Sequence, residues 1–221
     1  MDQDYTELEF FQDLTIYGDP TQLDATKSAI LATARGGSAA GWSVVPEDQT
    51  RRATPTDDVI ALERAGDEVA EASDLFMVRR GSQYDLTNIV PVKTGQLGRS
   101  RYNAILQDFV ARIASPVVKQ TGARLELSSP THTMEEYLGA EAARALRRFS
   151  TAANMSTGSS HPLDRQRWYD FIILVRDKDV DAGTLGRWLM ALGWPEDIAH
   201  SLASEFEFGY GLLHLQRDQA V

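Results

Sequence analysis

SSHPLDRQRWYDFIILVRDKDVDAGTLGRWLMALGWPEDIAHSLASEFEFGYG, residues 159–211, holds three helix signatures in succession, each with its own start, apolar stripe and stop. Pro162 fixes a backbone angle suited to a first turn, and Asp164 places a carboxylate near the positive end of the helix dipole. Trp168, Phe171, Ile172 and Val175 then recur at i, i+3, i+4 and i+7, on one face of a 3.6-residue spiral. At about 1.5 to 3 kcal/mol for each buried side chain, the stripe contributes roughly 6 to 12 kcal/mol before entropy is subtracted, so packing alone accounts for it. Asp181 is placed to cap a second helix carrying Leu185, Trp188, Leu189 and Leu192, and Gly193 with Pro195 supplies the stop. Gly183 and Gly186 weaken that helix by about 1 kcal/mol each relative to alanine, which predicts close packing against a neighbour. Pro195, Glu196 and Asp197 open the third helix, with Ile198, Leu202, Phe206, Tyr210 and Leu213 inward and Ala199 and Ala203 beside them. Short connections between such helices predict a compact bundle.

Upstream the periodicity changes. Glu7 to Tyr17 alternates, with Leu8, Phe10, Leu14 and Ile16 on one side and Glu7, Glu9, Asp13 and Thr15 on the other, and reads as a half-buried edge or outer strand. Asp19-Pro20-Thr21-Gln22 begins a helix whose apolar line is Leu23, Ile30 and Leu31 and which Gly36-Gly37 ends. Trp42 to Pro46 is a short strand. Residues Glu47 to Asp74 show little periodicity apart from a turn of helix around Val59 to Leu62. Leu75–Arg79 and Tyr84–Val92 form a hairpin across Arg80-Gly81-Ser82-Gln83. Ser100 caps a helix carrying Tyr102, Ile105, Leu106, Phe109 and Ile113 that ends by Pro116, and Ala123–Leu127 is the last strand.

Strand, helix, strand, hairpin, helix, strand is an α+β order. It predicts a mostly antiparallel sheet with two covering helices, ferredoxin-like or related, followed by an α-helical bundle. The boundary falls near Ser129, giving a sheet domain over 1–129 and a helical domain over 130–221 packed against it. In the latter, Thr133 and Glu136 make a capping box for a helix burying Leu138, Ala142, Ala145, Leu146 and Phe149, and Ser150 to Ser160 is a loop.

The chain has 221 residues, is 43% hydrophobic and contains no cysteine, which excludes disulfides, thiolate nucleophiles and cysteine metal sites. Its amino terminus lacks a basic start and an apolar run, and no segment approaches 18 uninterrupted apolar residues, so the expected location is cytoplasmic, with no membrane. Net charge is -10, with 19 acidic and 13 basic residues through Pro130 and 13 and 9 after it. Seven carboxylates precede Lys27. Such a charge disfavours phosphate backbones, so nucleic acid is not the expected partner.

Three constellations can carry chemistry. Ser160, His161 and Asp164 collect a hydroxyl, an imidazole and a carboxylate at one helix start, the residue types of nucleophilic catalysis. Read structurally, Ser160 or Asp164 caps the helix and His161 is a loop residue. Arg144, Arg147 and Arg148 lie on one helix, and Arg165 and Arg167 open the next. Five guanidinium groups around one loop suit an anion, or else form a solvated face paired with Glu141 and Asp170. Tyr169 and Phe208 fall outside the inward stripes and, with Tyr210, are interface candidates, the alternative being a second packing layer. Metal binding is not expected: His132, His161, His200 and His214 are scattered without ligand spacing, and Glu205 and Glu207 point to opposite sides of a helix. No dinucleotide, Walker or nucleophile-elbow motif is present, so no cofactor is expected. Asp85, Lys93 and Glu126 only distantly approach a nuclease pattern.

His161-Pro-Leu-Asp-Arg-Gln-Arg-Trp168, Arg187-Trp188-Leu189 and Gly193-Trp194-Pro195-Glu196-Asp197 resemble a family of uncharacterised bacterial proteins over roughly the last 90 residues. The resemblance implies a bacterial cytosolic origin and no catalytic residue. The expected function is therefore non-enzymatic protein–protein interaction with a basic partner, in the form of an accessory or inhibitory subunit of a bacterial defence or toxin system. The alternative is a hydrolase or phosphoryl-transfer enzyme using His161 and Asp164 with the arginine cluster.

Overall fold

The computed structural model describes residues 7–37, 39–46, 58–68, 70–93 and 95–218. Of these, Glu9–Pro130 form one compact unit, and the residues from Thr131 onward, with Glu7 and Leu8, form another. Residues 47–57 of the irregular segment and the first six residues lie outside the described part.

In the sheet unit, β2 (Leu14–Tyr17), α1 (Pro20–Arg35), β3 (Trp42–Val44), β4 (Val59–Arg64), β5 (Ser73–Arg80), β6 (Gln83–Pro91), the helices α2 (Arg99–Phe109) and α3 (Ser115–Thr121), and β7 (Arg124–Leu127) follow in order. The six strands make one antiparallel sheet, ordered β3-β4-β5-β6-β2-β7. β2, β5, β6 and β7 with their two crossovers have the split βαβ arrangement expected of a ferredoxin-like sheet, and β3 and β4 extend it beyond β5.

Four sequence expectations are corrected here. Val59 to Leu62 is not helical but belongs to β4, buried on both faces: Ile60 and Leu62 join the main core, while Val59 and Ala61 join Val45 and Phe76 in a smaller cluster. A strand covered on both faces has no alternation to read. The Glu7–Tyr17 strand breaks into β1 (Glu7–Glu9) and β2, because the Asn103 side chain takes over the backbone between them, accepting from the Gln12 N–H at 2.9 Å and donating to the Phe10 carbonyl at 2.7 Å. β2 is interior rather than outer, paired with β6 on one side and β7 on the other. Alternation reports that one face is polar, not that one edge is free. Finally, the helix after Gly98 does not end by Pro116. A π-helical turn, Val110–Ala114, closed by the Ser115 N–H on the Val110 carbonyl, lets the chain absorb the proline and continue to Thr121.

Ser100 does not cap α2, which starts at Arg99 after Gly98 with no side-chain cap, whereas the following local signals act as their chemistry dictates. Asp19 and Gln22 form a reciprocal capping box at α1 with bonds of 2.8 and 2.9 Å. Gly81, at φ +62, makes the tight turn joining Arg80 to Gln83. Leu23, Thr26 and Ile30 of α1 and Ile105, Leu106 and Phe109 of α2 are buried in the main core with the inward residues of the sheet.

The other unit contains β1 paired with β8 (Thr131–Thr133), then α4 (Met134–Leu138), α5 (Ala140–Ala152), α6 (Pro162–Leu174), α7 (Ala182–Ala191) and α8 (Glu196–Asp218). The Thr133/Glu136 capping box forms, but the helix it starts stops at Gly139, at φ +81 and ψ 152, where α5 begins. Asp181 caps α7 through the Thr184 N–H at 2.7 Å. The core is a run of touching rings: Trp194 on Phe149 at 5.2 Å, Phe149 on Trp168 at 5.0 Å, Trp168 on Phe171 at 5.3 Å, then Phe206 and Tyr210. The Trp194 indole donates to the Ser150 hydroxyl at 2.8 Å, satisfying its polar atom inside.

Candidate functional site

The loop before α6 is built by local hydrogen bonds. The Asn154 carbonyl accepts from the Thr157 and Gly158 N–H groups, and Gly158 sits at φ +59. Ser159 is buried and donates to Glu205 of α8 at 2.6 Å. Ser160 donates to the Thr157 carbonyl at 2.6 Å. His161 is the helix cap itself: its Nδ1 accepts from the Leu163 N–H at 3.3 Å, and Pro162 occupies the first turn. Asp164 is buried and accepts from Arg167 at 2.7 Å. Ser160, His161 and Asp164 thus engage three different neighbours and not one another, so no hydroxyl-to-base hydrogen bond links them in this arrangement.

The five arginines separate likewise. Arg147 grips both oxygens of Glu135, one of them at 3.0 Å, and this contact holds the Glu135 carboxyl below its ordinary pKa. Arg165 donates weakly to the Ser160 carbonyl at 3.4 Å. Arg148 and Arg167 do converge, lining with Ala145 and Asp170 a depression of about 170 Å³. Arg144 is exposed one turn before Arg148. The depression can hold a small anion against two guanidinium groups, with the Asp170 carboxylate opposing it.

Among the described residues no group of three or more His, Asp or Glu side chains is placed to hold a metal. Asp85 and Glu126 stand two strands apart, each opposite Thr15, whereas Lys93 lies beyond the end of β6. No helix among the described residues is long and apolar enough to cross a membrane.

The aromatic candidates divide. Tyr210 is partly buried, stacked on Phe206 at 5.1 Å, with its hydroxyl donating to the Lys178 carbonyl. Tyr169 is 49% exposed and Phe208 72%, and they are not isolated: Ile173 is 46%, Leu212 52% and Leu215 60% exposed. Tyr169 and Ile173 are spaced i, i+4 on α6, and Phe208, Leu212 and Leu215 are spaced i, i+4, i+7 on α8, each a second stripe outside the buried one. A β-carbon at Gly209 would lie 3.4 Å from Ile172 Cδ1, so the helices meet at that seam. At about 100° per residue, each stripe falls beside its own seam residue, on the side turned away from the rings of the core. Tyr169 and Phe208 stand out in the sequence because they fall off the inward stripes, whereas Ile173, Leu212 and Leu215 do not. The signal available was the second period in α8, which the stronger inward stripe masks.

No protein-family model, no curated protein and no solved structure matches this chain. The bacterial resemblance of residues 161–197 therefore has no matching family model behind it.

Proposed function

We propose that the chain is a protein-binding module whose helical unit docks a partner along the strip formed by Tyr169, Ile173, Phe208, Leu212 and Leu215. The observation that carries this reading is that five large apolar side chains are 46 to 72% exposed on a unit whose rings already form a core of their own. Paired stripes either side of a seam narrowed to a glycine suit an amphipathic helix laid into a groove. A net charge of -10 favours a partner with lysine or arginine flanking its apolar face, because complementary charge raises the encounter rate. An accessory or inhibitory subunit acting on a basic partner is the concrete form of this role. The separate engagements of Ser160, His161 and Asp164 favour it over hydrolysis or phosphoryl transfer.

The test is native mass spectrometry of the protein drawn from its own cell, comparing the wild type with the double variant Phe208→Ser, Leu212→Ser. The expected result is a stoichiometric complex that the variant lacks while its circular dichroism is unchanged. Wild type found only as free protein, or a complex equally abundant in the variant, refutes the reading.

A further inference from the structure

The sheet unit carries a cleft of about 400 Å³, lined chiefly by Phe11, Asn88, Val90, Gln96, Leu97 and Tyr102. It exists because β2 covers β6 only at Gln83, Tyr84 and Asp85, so among the described residues the rest of β6 has no strand on that side. An open strand edge suggests strand addition, but this one is closed to it. The Val92 N–H bonds the Ala72 carbonyl, and since ladder bonds alternate, Ile89 and Pro91 turn their backbones to the open side. The Ile89 N–H is already taken by the Asn88 side chain at 2.9 Å, and Pro91 has none to give. This edge offers carbonyl acceptors and no N–H donor, so an anion in the cleft has to be held by side chains.

Its lining sets Phe11, Val90, Leu97 and Tyr102 beside the amides of Asn88 and Gln96, and Arg99 stands next to it over the Phe11 ring. Phe11 is half-exposed, touched edge-on by Tyr102 at 5.0 Å and covered by the Arg99 guanidinium at 5.0 Å. Arg99 and Tyr102 lie three residues apart on the same face of α2. Arg64, Arg79, Arg80, Arg101, Arg112 and Arg124 of this unit each have a carboxylate within 4.0 Å, whereas no carboxylate among the described residues pairs with Arg35 or with Arg99, of which Arg99 is the one beside the cleft. In a chain with ten more acidic than basic residues, a guanidinium left with only a ring beside a partly apolar hollow suits an anion with a carbon body. Burial, with the Asp13 charge second, pushes the Tyr102 phenol up to about 12, so Tyr102 meets a ligand as a neutral hydroxyl and Asp13 is the carboxylate whose charge an anion here must outweigh through Arg99.

We propose that this cleft binds a small apolar monocarboxylate, its hydrocarbon part between Phe11, Val90, Leu97 and Tyr102 and its carboxylate on Arg99. The probe is 3-phenylpropionate, with 3-phenylpropionamide as the uncharged counterpart of equal size, titrated into the full chain and followed by backbone amide shifts. Wild type is expected to show saturable shifts at Phe11 and residues 88–102, with a Kd on the order of 1 mM for the acid, as per-atom affinities allow. The amide should bind about tenfold more weakly, the share of one charge-assisted contact. Arg99→Gln, a change at the surface, should bring the acid down to the amide's affinity and leave the amide unaltered. Val90→Trp should fill the cleft and remove both. Equal affinities for acid and amide in the wild type, an acid preference that survives Arg99→Gln, or shifts centred outside residues 88–102 would each overturn the assignment.

Discussion

Replacing Asp108 should unfasten the sheet unit from within. Arg64 of β4 is buried, its guanidinium held by Asp67 at 2.6 Å, by Asp108 at 3.5 Å and by the carbonyls of Ala65 and Ala70 at 3.2 and 3.4 Å. Asp108 also accepts the Trp42 indole N–H at 2.8 Å and pairs with Arg112 at 2.6 Å, so one carboxylate of α2 serves β3, β4 and its own helix. In Asp108→Ala the buried indole loses its acceptor, costing about 1 to 3 kcal/mol. Arg64 loses one of two carboxylates. Because Asp67 and two carbonyls remain, this contributes about 1 to 2 kcal/mol rather than the roughly 3 to 5 kcal/mol of a stripped buried charge. The half-exposed Arg112 pair adds about 0 to 1 kcal/mol. The expected loss is therefore about 2 to 6 kcal/mol, set against the roughly 5 to 15 kcal/mol that usually separates folded from unfolded domains. Urea titrations followed through amide resonances of β4 and β5 read the sheet unit alone. A double-mutant cycle with Trp42→Phe isolates the indole share, and the two changes should couple by at least about 1 kcal/mol. A loss no greater than that of Arg112→Ala, or additivity with Trp42→Phe, would refute the role assigned to Asp108.

Two glycines of the helical unit should respond oppositely to alanine. At Gly186 the new β-carbon meets the Ala203 Cβ at 3.7 Å, an ordinary contact, so Gly186→Ala should stabilise by about 0.5 to 1 kcal/mol, whereas Gly139→Ala, at φ +81 and ψ 152, should cost about 1 to 3 kcal/mol. Urea midpoints moving in the same direction for both would contradict this. Acid should weaken the fold. Arg147 lowers the Glu135 pKa. At Asp58 burial works against ionisation, but hydrogen bonds from Tyr84, Lys27 and Arg79 outweigh it, and at Asp181 those from Thr184 and Tyr137 do the same. Carboxyls held low in the folded state contribute stability above their ordinary range, which is lost as pH falls through it. Asp74, raised by burial and then by Glu63, partly offsets this. The urea midpoint should stay flat from pH 7 to about 5 and decline below, less steeply in Asp58→Asn; a midpoint that rises below pH 5 would count against these contacts.

Elements with local causes were legible in the sequence: the Asp19 and Thr133 capping boxes, the Asp181 cap, the Gly81 turn, and the stripe from Trp168 to Val175 that became the ring core. What stayed hidden depends on distant partners. Nothing near Gln12 announces that Asn103, 91 residues on, will take its backbone hydrogen bond. Nor does the run from Val59 to Leu62, apolar throughout, reveal that both faces are covered. Residue types at positions 160, 161 and 164 suggested a shared task, but hydrogen-bond direction gave each a different one. The strip on α6 and α8 was half visible, through its aromatic members alone.

The pairing of β1 with β8 has a temporal side. Glu7–Glu9 are synthesised first, their partners Thr131–Thr133 only after the whole sheet unit, whose two ends are drawn together by the Phe10 N–H on the Pro130 carbonyl at 2.8 Å. At about 5 to 20 residues per second, the 122 positions from Glu9 to Thr131 take a ribosome roughly 6 to 24 s. The leading strand therefore waits, unmatched, through the making of an entire inserted body, and the helical unit is completed around a segment that was translated before any of its helices.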